Sequence, residues 1–280
     1  MYFCRIFVVG ILFGWTFWNR ASAGLLDSVR SRLPDALVER EWTVAGVRRT
    51  ALLRVPRTSS GPVGVVFCWH GHGGRASQAA RSWGYGQADR TSILVFPQGL
   101  PTVSPLVDRE GRMPGWQTTV GGDGDRDIQF FDTMLIDLRR EHAIDVRRIY
   151  SMGHSNGGAF SYLLWQARPS ILAAVGAVAG GIRGRFDGVP PLPVIHVAGK
   201  RDPLVKFSWQ EQTFAAVRRI NDCKQSPQAW GKAGVLDAVV YPSGKGSPLV
   251  TALHGGGHEY AEGSSELIAR FFKEHVRRDR

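Results

Sequence analysis

The clearest candidates for chemistry lie in Gly153-His154-Ser155-Asn156-Gly157, a run that fits the pattern G-x-S-x-G. It follows the apolar stretch 148–152 and precedes the helical pattern 156–167. In this context the pattern predicts a sharp strand-to-helix turn that exposes a serine hydroxyl to a base and a substrate. Glycines on both sides leave room where larger side chains would collide with the neighbouring strand and helix. The sequence therefore predicts that Ser155 is a nucleophile.

A serine hydroxyl is a weak nucleophile, so it needs a general base that is itself oriented by a carboxylate. His258 ends the run Gly255-Gly256-Gly257-His258, whose glycines free a loop to swing an imidazole over the serine. Asp202 lies on a loop after the predicted strand 193–197. The chain order Ser, Asp, His is that of a strand-turn-helix serine hydrolase. We therefore predict a catalytic triad of Ser155, Asp202 and His258.

Two of these assignments have alternatives in the sequence. His254 is the alternative base, although it ends a predicted strand and is more constrained than His258. Asp187 and Asp237 are the alternative acids, the first in an irregular stretch and the second in the middle of a predicted strand. Functional groups of a parallel sheet gather beyond the carboxyl ends of its strands, which favours Asp202.

A glycine-rich turn, His70-Gly71-His72-Gly73-Gly74, follows another apolar strand. Such a turn presents a backbone N–H toward the nucleophile, and the residue after the serine supplies a second donor. We therefore predict an oxyanion hole made by the N–H groups of His72 and Asn156. Gly73 is the alternative first donor.

The histidines also allow a metal interpretation. His70, His72, His254 and His258 supply four imidazoles, which is a plausible zinc set by count. However, no acidic residue or further histidine follows His72 closely, and a zinc site leaves the serine turn unexplained. We therefore predict neither a metal nor another cofactor.

The elements that must position these residues alternate between strands and helices. Such alternation predicts a mainly parallel central sheet with helices on both faces, the α/β class. The stretch 41–55 alternates weakly and predicts an antiparallel edge. The predicted strands are 63–69, 92–96, 148–152, 173–178, 193–197, 235–241 and 249–253, and the predicted helices are 127–142, 156–167, 208–220 and 264–276.

Composition narrows the class of protein. The formal net charge is +11, but the arginine pairs are scattered along the chain rather than interleaved with aromatics in one stretch. This distribution is typical of a solvated surface, so no nucleic-acid partner is predicted. Attraction to anionic polysaccharide or membrane surfaces is the alternative. No repeat or linker interrupts residues 24–280, which predicts a single catalytic domain.

The first residues have the pattern of a signal peptide. Arg5 precedes the apolar stretch 6–18, and Ala21-Ser22-Ala23 fits a small-x-small cleavage site. The apolar stretch is short for a membrane span. We predict a signal peptide over residues 1–23 and a secreted or periplasmic chain from Gly24 without a stable membrane span. An uncleaved anchor is the alternative.

Two cysteines, Cys68 and Cys223, follow the predicted cleavage site. Cys68 lies in an apolar strand and Cys223 follows a predicted helix. The spacing leaves open whether they form a disulfide or remain buried thiols.

In combination, these motifs resemble the secreted esterases of the polyhydroxybutyrate depolymerase and feruloyl esterase group, in the α/β-hydrolase superfamily. The resemblance covers residues 63–272. It implies an α/β-hydrolase fold and a serine-dependent carboxylic ester hydrolase without metal or organic cofactor. The run Glu259-Tyr260-Ala261 departs from the family, which often has a tryptophan and a proline after the histidine. The resemblance is carried by the serine and histidine runs and by Val95-Phe96-Pro97-Gln98-Gly99, Gly115-Trp116, Asp127-Ile128-Gln129-Phe130-Phe131 and residues 196–202.

The predicted reaction is hydrolysis of a small-molecule or polymeric ester through an acyl-enzyme. Trp116 is interpreted as lining the acyl pocket, with a core position beneath the crevice as the alternative. Acyl transfer or peptide hydrolysis by the same triad is the second hypothesis, and a non-catalytic exported binding protein is the third. The natural ester stays open among an aromatic acid on plant polysaccharide, an acetyl group and a polyhydroxyalkanoate.

Overall fold

A mainly parallel sheet forms the centre of the fold. The computed structural model describes residues 36–57, 59–184 and 186–277. Contacts divide the chain after Ala36, and the fold is that of the unit Leu37–Arg280. The described strands are β1 (Val38–Val44), β2 (Val47–Arg54), β3 (Val63–Trp69), β4 (Ile93–Pro97), β5 (Leu100–Pro101), β6 (Pro114–Gly115), β7 (Ile144–His154), β8 (Ala174–Val178), β9 (Val194–Gly199), β10 (Gln228–Ala233), β11 (Leu236–Tyr241) and β12 (Leu249–His254).

Ten of these strands form one sheet in the order β1-β2-β4-β3-β7-β8-β9-β12-β11-β10. The six strands from β4 to β12 in this order are parallel to one another. Antiparallel strands extend the sheet at both edges, β2 and β1 on one side and β11 and β10 on the other. The short strands β5 and β6 pair separately.

Helices cover both faces of the sheet, because the central strands are apolar on both sides. Successive residues of β3 alternate between the two cores: Phe67 and Trp69 join one, and Val66 and Cys68 join the other. Helices α3, α4 and α5 pack on the first face, and α1, α2 and α6 on the second. The helices are α1 (Ala76–Ser82), α2 (Tyr85–Ala88), α3 (Arg126–Glu141), α4 (Asn156–Ala167), α5 (Phe207–Asn221) and α6 (Ser264–Glu274).

The predicted fold class is confirmed, and the structure differs from the predictions in the bounds of some elements and in several short or exposed elements that were not predicted, among them α1, α2, β5 and β6. The weakly alternating stretch 41–55 forms the hairpin of β1 and β2, which turns at Ala45 and Gly46, both with positive φ. Strand β7 begins four residues before the predicted stretch 148–152. Strand β10 is not predicted, because it is an exposed edge strand whose residues lack the apolar signal of a central strand.

Other features of the fold bear on the remaining predictions. Cys68, buried in β3, and Cys223 are both free thiols, so the disulfide alternative is wrong. No helix in the described part of the chain is long and apolar enough to cross a membrane. The predicted signal peptide, residues 1–23, lies outside the described residues and stays a prediction, as does the single catalytic domain over residues 24–280.

Candidate active site

Ser155 lies in a sharp turn at the carboxyl end of the central strand β7. The strand ends at His154 and helix α4 begins at Asn156, so one residue makes the whole turn. Its backbone has φ 56° and ψ −118°, and its N–H donates to the carbonyl of Val178 at 2.8 Å. A non-glycine residue in such a region costs on the order of 1–3 kcal/mol, which the surrounding packing must offset. The turn points the hydroxyl away from the sheet.

The flanking glycines are required by close backbone contacts, as the sequence predicts. A Cβ at Gly157 would overlap the carbonyl oxygen of Trp69 and lie 2.6 Å from that of His70. A Cβ at Gly153 would overlap the backbone of Gly157 and lie 2.7 Å from the Trp69 carbonyl oxygen. Helix α4 therefore starts in direct contact with the end of β3.

The structure brings the three predicted triad residues together. His258 Nε2 lies 2.8 Å from Ser155 Oγ, and His258 Nδ1 lies 2.7 Å from Asp202 Oδ2. An ionised carboxylate only accepts hydrogen bonds, so Nδ1 carries the proton in the neutral ring. The unprotonated Nε2 then accepts a hydrogen bond from the serine hydroxyl. This is the orientation that a general base needs.

Asp202 is buried and held by several donors. Its Oδ1 accepts hydrogen bonds from the backbone N–H groups of Leu204 and Val205, each at 2.9 Å. Its Oδ2 accepts from His258 and, at 3.3 Å, from the side chain of Gln210. These donors orient the carboxylate and stabilise its charge, since they bond to the ionised form.

The alternative residues lie elsewhere. His254 is buried, and its Nδ1 accepts a hydrogen bond from the Gly256 N–H at 3.2 Å. Asp237 is exposed and pairs with Lys232 across the β10–β11 hairpin at 2.6 Å. Asp187 is exposed as well. The sequence argument favoured Asp202 and His258 because each follows the carboxyl end of a strand. The structure places the same two residues next to Ser155.

The loops that carry Asp202 and His258 contact each other through their backbones. The N–H of Arg201 donates to the carbonyl of Gly256 at 2.9 Å. A Cβ at Gly199 would overlap the carbonyl oxygen of Gly257. Gly256 and Gly257 thus belong to a tightly packed junction, whereas the sequence suggested a loop that swings.

His154 contributes a contact that the sequence analysis did not identify. Its Nε2 lies 3.0 Å from the carbonyl oxygen of His258, and the two rings are 5.0 Å apart. Burial lowers the pKa of His154 to about 4, so the neutral ring donates from Nε2 to that carbonyl. The variable position of the G-x-S-x-G run therefore anchors the backbone of the general-base candidate. Sequence spacing carries no signal for this contact.

The predicted oxyanion donors lie beside Ser155. Asn156 is the first residue of α4, so its N–H has no carbonyl partner within the helix. His72 and Asn156 both line the cavity at Ser155. The N–H of Gly73 donates to the carbonyl of Pro114 at 2.7 Å, which removes Gly73 as the alternative donor. The geometry therefore favours His72, and its imidazole is held by Asp108 at 3.1 Å.

The interpretation of Trp116 as a pocket wall is wrong. Its side chain is completely buried beneath the site, where it packs against Trp69 and Phe160 and donates to the carbonyl of His70 at 2.8 Å. Its backbone exchanges two hydrogen bonds with the side chain of Asn156, at 2.7 and 3.1 Å. Trp116 therefore supports the start of α4 instead of contacting a ligand.

The four histidines of the zinc interpretation do not share one site in the described part of the chain. The four histidines have separate partners: His70 accepts from the Gly99 N–H at 3.0 Å, and His72, His254 and His258 make the contacts given above. No group of three or more potential ligands converges within the part of the chain that the structure describes.

A cavity of about 720 Å³ opens at the serine hydroxyl. Its floor carries Ser155, His258 and the predicted oxyanion donors. Two loops, one before β6 and one before α5, supply much of the wall, which is largely apolar. Its larger apolar side chains include Leu106, Val107, Met113, Ile182, Leu204 and Trp209.

The chain has the α/β-hydrolase fold, and the arrangement of this site is the one expected of a serine hydrolase on that fold. A mainly parallel sheet carries a serine at the strand-to-helix turn, and an acid and a histidine follow later strands at the same edge. The comparisons with known proteins agree with this class.

No family model matches the sequence. The chain is 27% identical over 227 residues to the probable feruloyl esterase C of Aspergillus flavus, which covers 76% of this chain and 77% of that protein. It is 25% identical over 226 residues to feruloyl esterase D of Neurospora crassa, covering 77% and 75% of the two chains. Among solved structures, the acetyl xylan esterase from Aspergillus awamori matches with a TM-score of 0.65 at 13% identity, over 84% of this chain and 99% of that one. The predicted resemblance is confirmed, and the chain is a carboxylic ester hydrolase.

Proposed function

We propose that this chain is a secreted serine esterase that works through Ser155, His258 and Asp202. The observation that carries the proposal is the continuous run of hydrogen bonds, 2.8 Å from the serine to the histidine and 2.7 Å from the histidine to the aspartate. Export is supported by the signal-peptide pattern of residues 1–23. The histidine between the two groups is placed to take the serine proton, as acyl transfer requires.

The proposed reaction has two acyl-transfer steps. His258 removes the proton from Ser155 Oγ as this oxygen attacks the ester carbonyl carbon. The N–H groups of His72 and Asn156 donate to the oxyanion that forms. The tetrahedral intermediate collapses as the ester C–O bond breaks, and His258 gives the proton to the departing alcohol. Water then attacks the acyl-enzyme with His258 as base, and the acid leaves.

The cavity favours an ester of an aromatic acid. A volume of about 720 Å³ is far larger than an acetyl group needs, and the wall beyond Ser155 is largely apolar. Trp209 is exposed within this wall and offers a flat surface on which an aromatic acyl group can stack. The names of the feruloyl esterase relatives point to the same class of acid. We therefore propose a hydroxycinnamate-type acyl group as the natural one.

Covalent labelling tests the proposed nucleophile. A fluorophosphonate should phosphonylate Ser155 Oγ with loss of fluoride, because His258 activates this hydroxyl. We expect one label per chain, mapped to Ser155 by peptide mass spectrometry, and a parallel loss of esterase activity. Protein unfolded before exposure to the reagent is the control and should stay unlabelled. An active enzyme that resists the reagent, or that is labelled at another residue, would contradict the proposal.

Shortening Trp209 tests the proposed acyl group. We expect Trp209→Ala to raise the KM for methyl ferulate about tenfold, because a stacked aromatic contact is lost. Turnover of p-nitrophenyl acetate should change by less than about twofold, since a small acyl group does not reach this side chain. Trp230→Ala is the matched control, because Trp230 lies on β10 and contacts Arg270 instead of the cavity. Equal effects on both substrates would argue against an aromatic acyl group.

A further inference from the structure

A second chain of hydrogen bonds reaches Asp202 from the interior of the protein. Gln210 Nε2 lies 3.3 Å from Asp202 Oδ2, and Gln210 Oε1 lies 3.0 Å from His196 Nε2. His196 Nδ1 lies 2.8 Å from the hydroxyl of Tyr162. The side chains of Gln210, His196 and Tyr162 are completely buried. Four polar groups are thus connected inside the core, where an unpaired polar group is costly.

Because the Asp202 carboxylate can only accept hydrogen bonds, it fixes which atom donates in each hydrogen bond of this series. Asp202 only accepts, so Gln210 presents its amide N–H to it and its carbonyl oxygen to His196. His196 must therefore donate from Nε2. Burial lowers the pKa of His196 to about 4, so the ring is neutral and its Nδ1 accepts from Tyr162. Burial also raises the pKa of the Tyr162 hydroxyl, which keeps its proton. All three donors point toward Asp202.

These residues come from elements that carry the reacting groups. Tyr162 lies on α4, which begins directly after Ser155, and His196 lies on β9, which precedes the loop of Asp202. Gln210 lies on α5 and also donates to the carbonyl of Val205 at 2.8 Å. This series of hydrogen bonds therefore connects helix α4, which follows Ser155, to the loop that carries Asp202.

We propose that Tyr162, His196 and Gln210 are positioning residues that hold the Asp202 carboxylate aligned with His258. This inference rests on the proposed function, because it assumes that Asp202 orients the general base. The groups that face the carboxylate are His258, Gln210 and the backbone N–H groups of Leu204 and Val205. Gln210 is the donor among them that reaches Asp202 from the core.

Loss of a donor to Asp202 has two consequences for the reaction. The carboxylate becomes less well aligned, which lowers kcat. The side chains of Tyr162, His196 and Gln210 do not line the cavity, so we expect substrate binding to change little. The negative charge of the carboxylate is also less dispersed, so the aspartate–histidine couple holds its proton more tightly. As the pH is lowered, the general base is then protonated at a higher pH. The acidic limb of the kcat/KM profile therefore shifts to higher pH.

The test compares pH profiles of the full chain and three variants with p-nitrophenyl acetate. We expect Gln210→Met to lower kcat about tenfold and Tyr162→Phe about threefold, with KM changed by less than about twofold. The acidic limb should rise by about half a pH unit in Gln210→Met. Tyr150→Phe is the matched control, since it also removes a buried hydroxyl, one bonded to the carbonyl of His275 at 3.0 Å. It should leave kcat and the pH profile unchanged.

The outcomes separate this inference from the proposed function. Should Gln210→Met fail to fold, the comparison of Tyr162→Phe with Tyr150→Phe decides. Wild-type kcat and an unmoved acidic limb in the folded core variants would overturn the inference. So would equal losses in Tyr162→Phe and Tyr150→Phe. If Ser155 is labelled by a fluorophosphonate in these cases, the proposed function stands and only the role of the buried chain is rejected.

Discussion

Replacing Ser155, the proposed nucleophile, should remove nearly all activity without disturbing the fold. We expect Ser155→Ala to lower kcat for p-nitrophenyl acetate by about 10⁶-fold, because a triad acts as one unit and its loss leaves only the oxyanion donors. The hydroxyl contacts His258 in the open cavity, so its removal leaves no unpaired group in the core. The measurement is steady-state kinetics together with the thermal unfolding midpoint.

Ser161→Ala is the matched control for this prediction. Ser161 lies on the same helix that follows the nucleophile, but its hydroxyl is buried and contacts Ser151 and the carbonyl of Gly157. Its loss should affect stability and not the chemistry. Activity of Ser155→Ala close to that of Ser161→Ala would reject Ser155 as the nucleophile.

The second large effect is expected from one methyl group at Gly157. In Gly157→Ala, the new Cβ meets the backbone carbonyls of Trp69 and His70 at the end of β3, which cannot move aside like a flexible side chain. Helix α4 must then shift away from the sheet, and Ser155 and the N–H of Asn156 shift with it. We expect a loss of about 5 kcal/mol in the free energy of unfolding, or about 10³-fold in kcat if the fold survives.

Urea unfolding and kinetics measure these two losses. Gly61→Ala is the control, because nothing lies within 4 Å of a Cβ at this loop position. It should change the free energy of unfolding by less than about 0.5 kcal/mol. A stable, fully active Gly157→Ala variant would contradict the close contact between α4 and β3.

Much of this site follows from local pattern. The serine turn is encoded by neighbouring residues, because strand, tight turn and helix each have a signature over a few positions. The central strands can also be predicted from a few neighbouring residues, because each is a short apolar run. Their alternation with helices predicts the parallel sheet. Parallel strands have their carboxyl ends at the same edge of the sheet. Asp202 follows β9 and His258 follows β12, so both lie at the edge where Ser155 follows β7.

The points that the sequence analysis left open or missed have a different origin. Whether Trp116 lines the cavity or lies beneath it depends on the packing of Trp69 and Phe160, residues from distant elements. The choice of His72 over Gly73 as oxyanion donor depends on the carbonyl of Pro114, which takes the Gly73 N–H. Strand β10 went unpredicted because an exposed edge needs backbone pairing and no apolar side chains.

The local sequence thus predicted Ser155 as the nucleophile candidate, the mainly parallel sheet and the edge at which Asp202 and His258 meet. Tertiary structure alone decided what surrounds them: the contact of His154 with the His258 carbonyl, and the buried chain from Tyr162 to Asp202. The physical reason is that hydrogen bonds between buried side chains depend on distances across elements far apart in the chain. Nothing in the spacing of the residues records those distances.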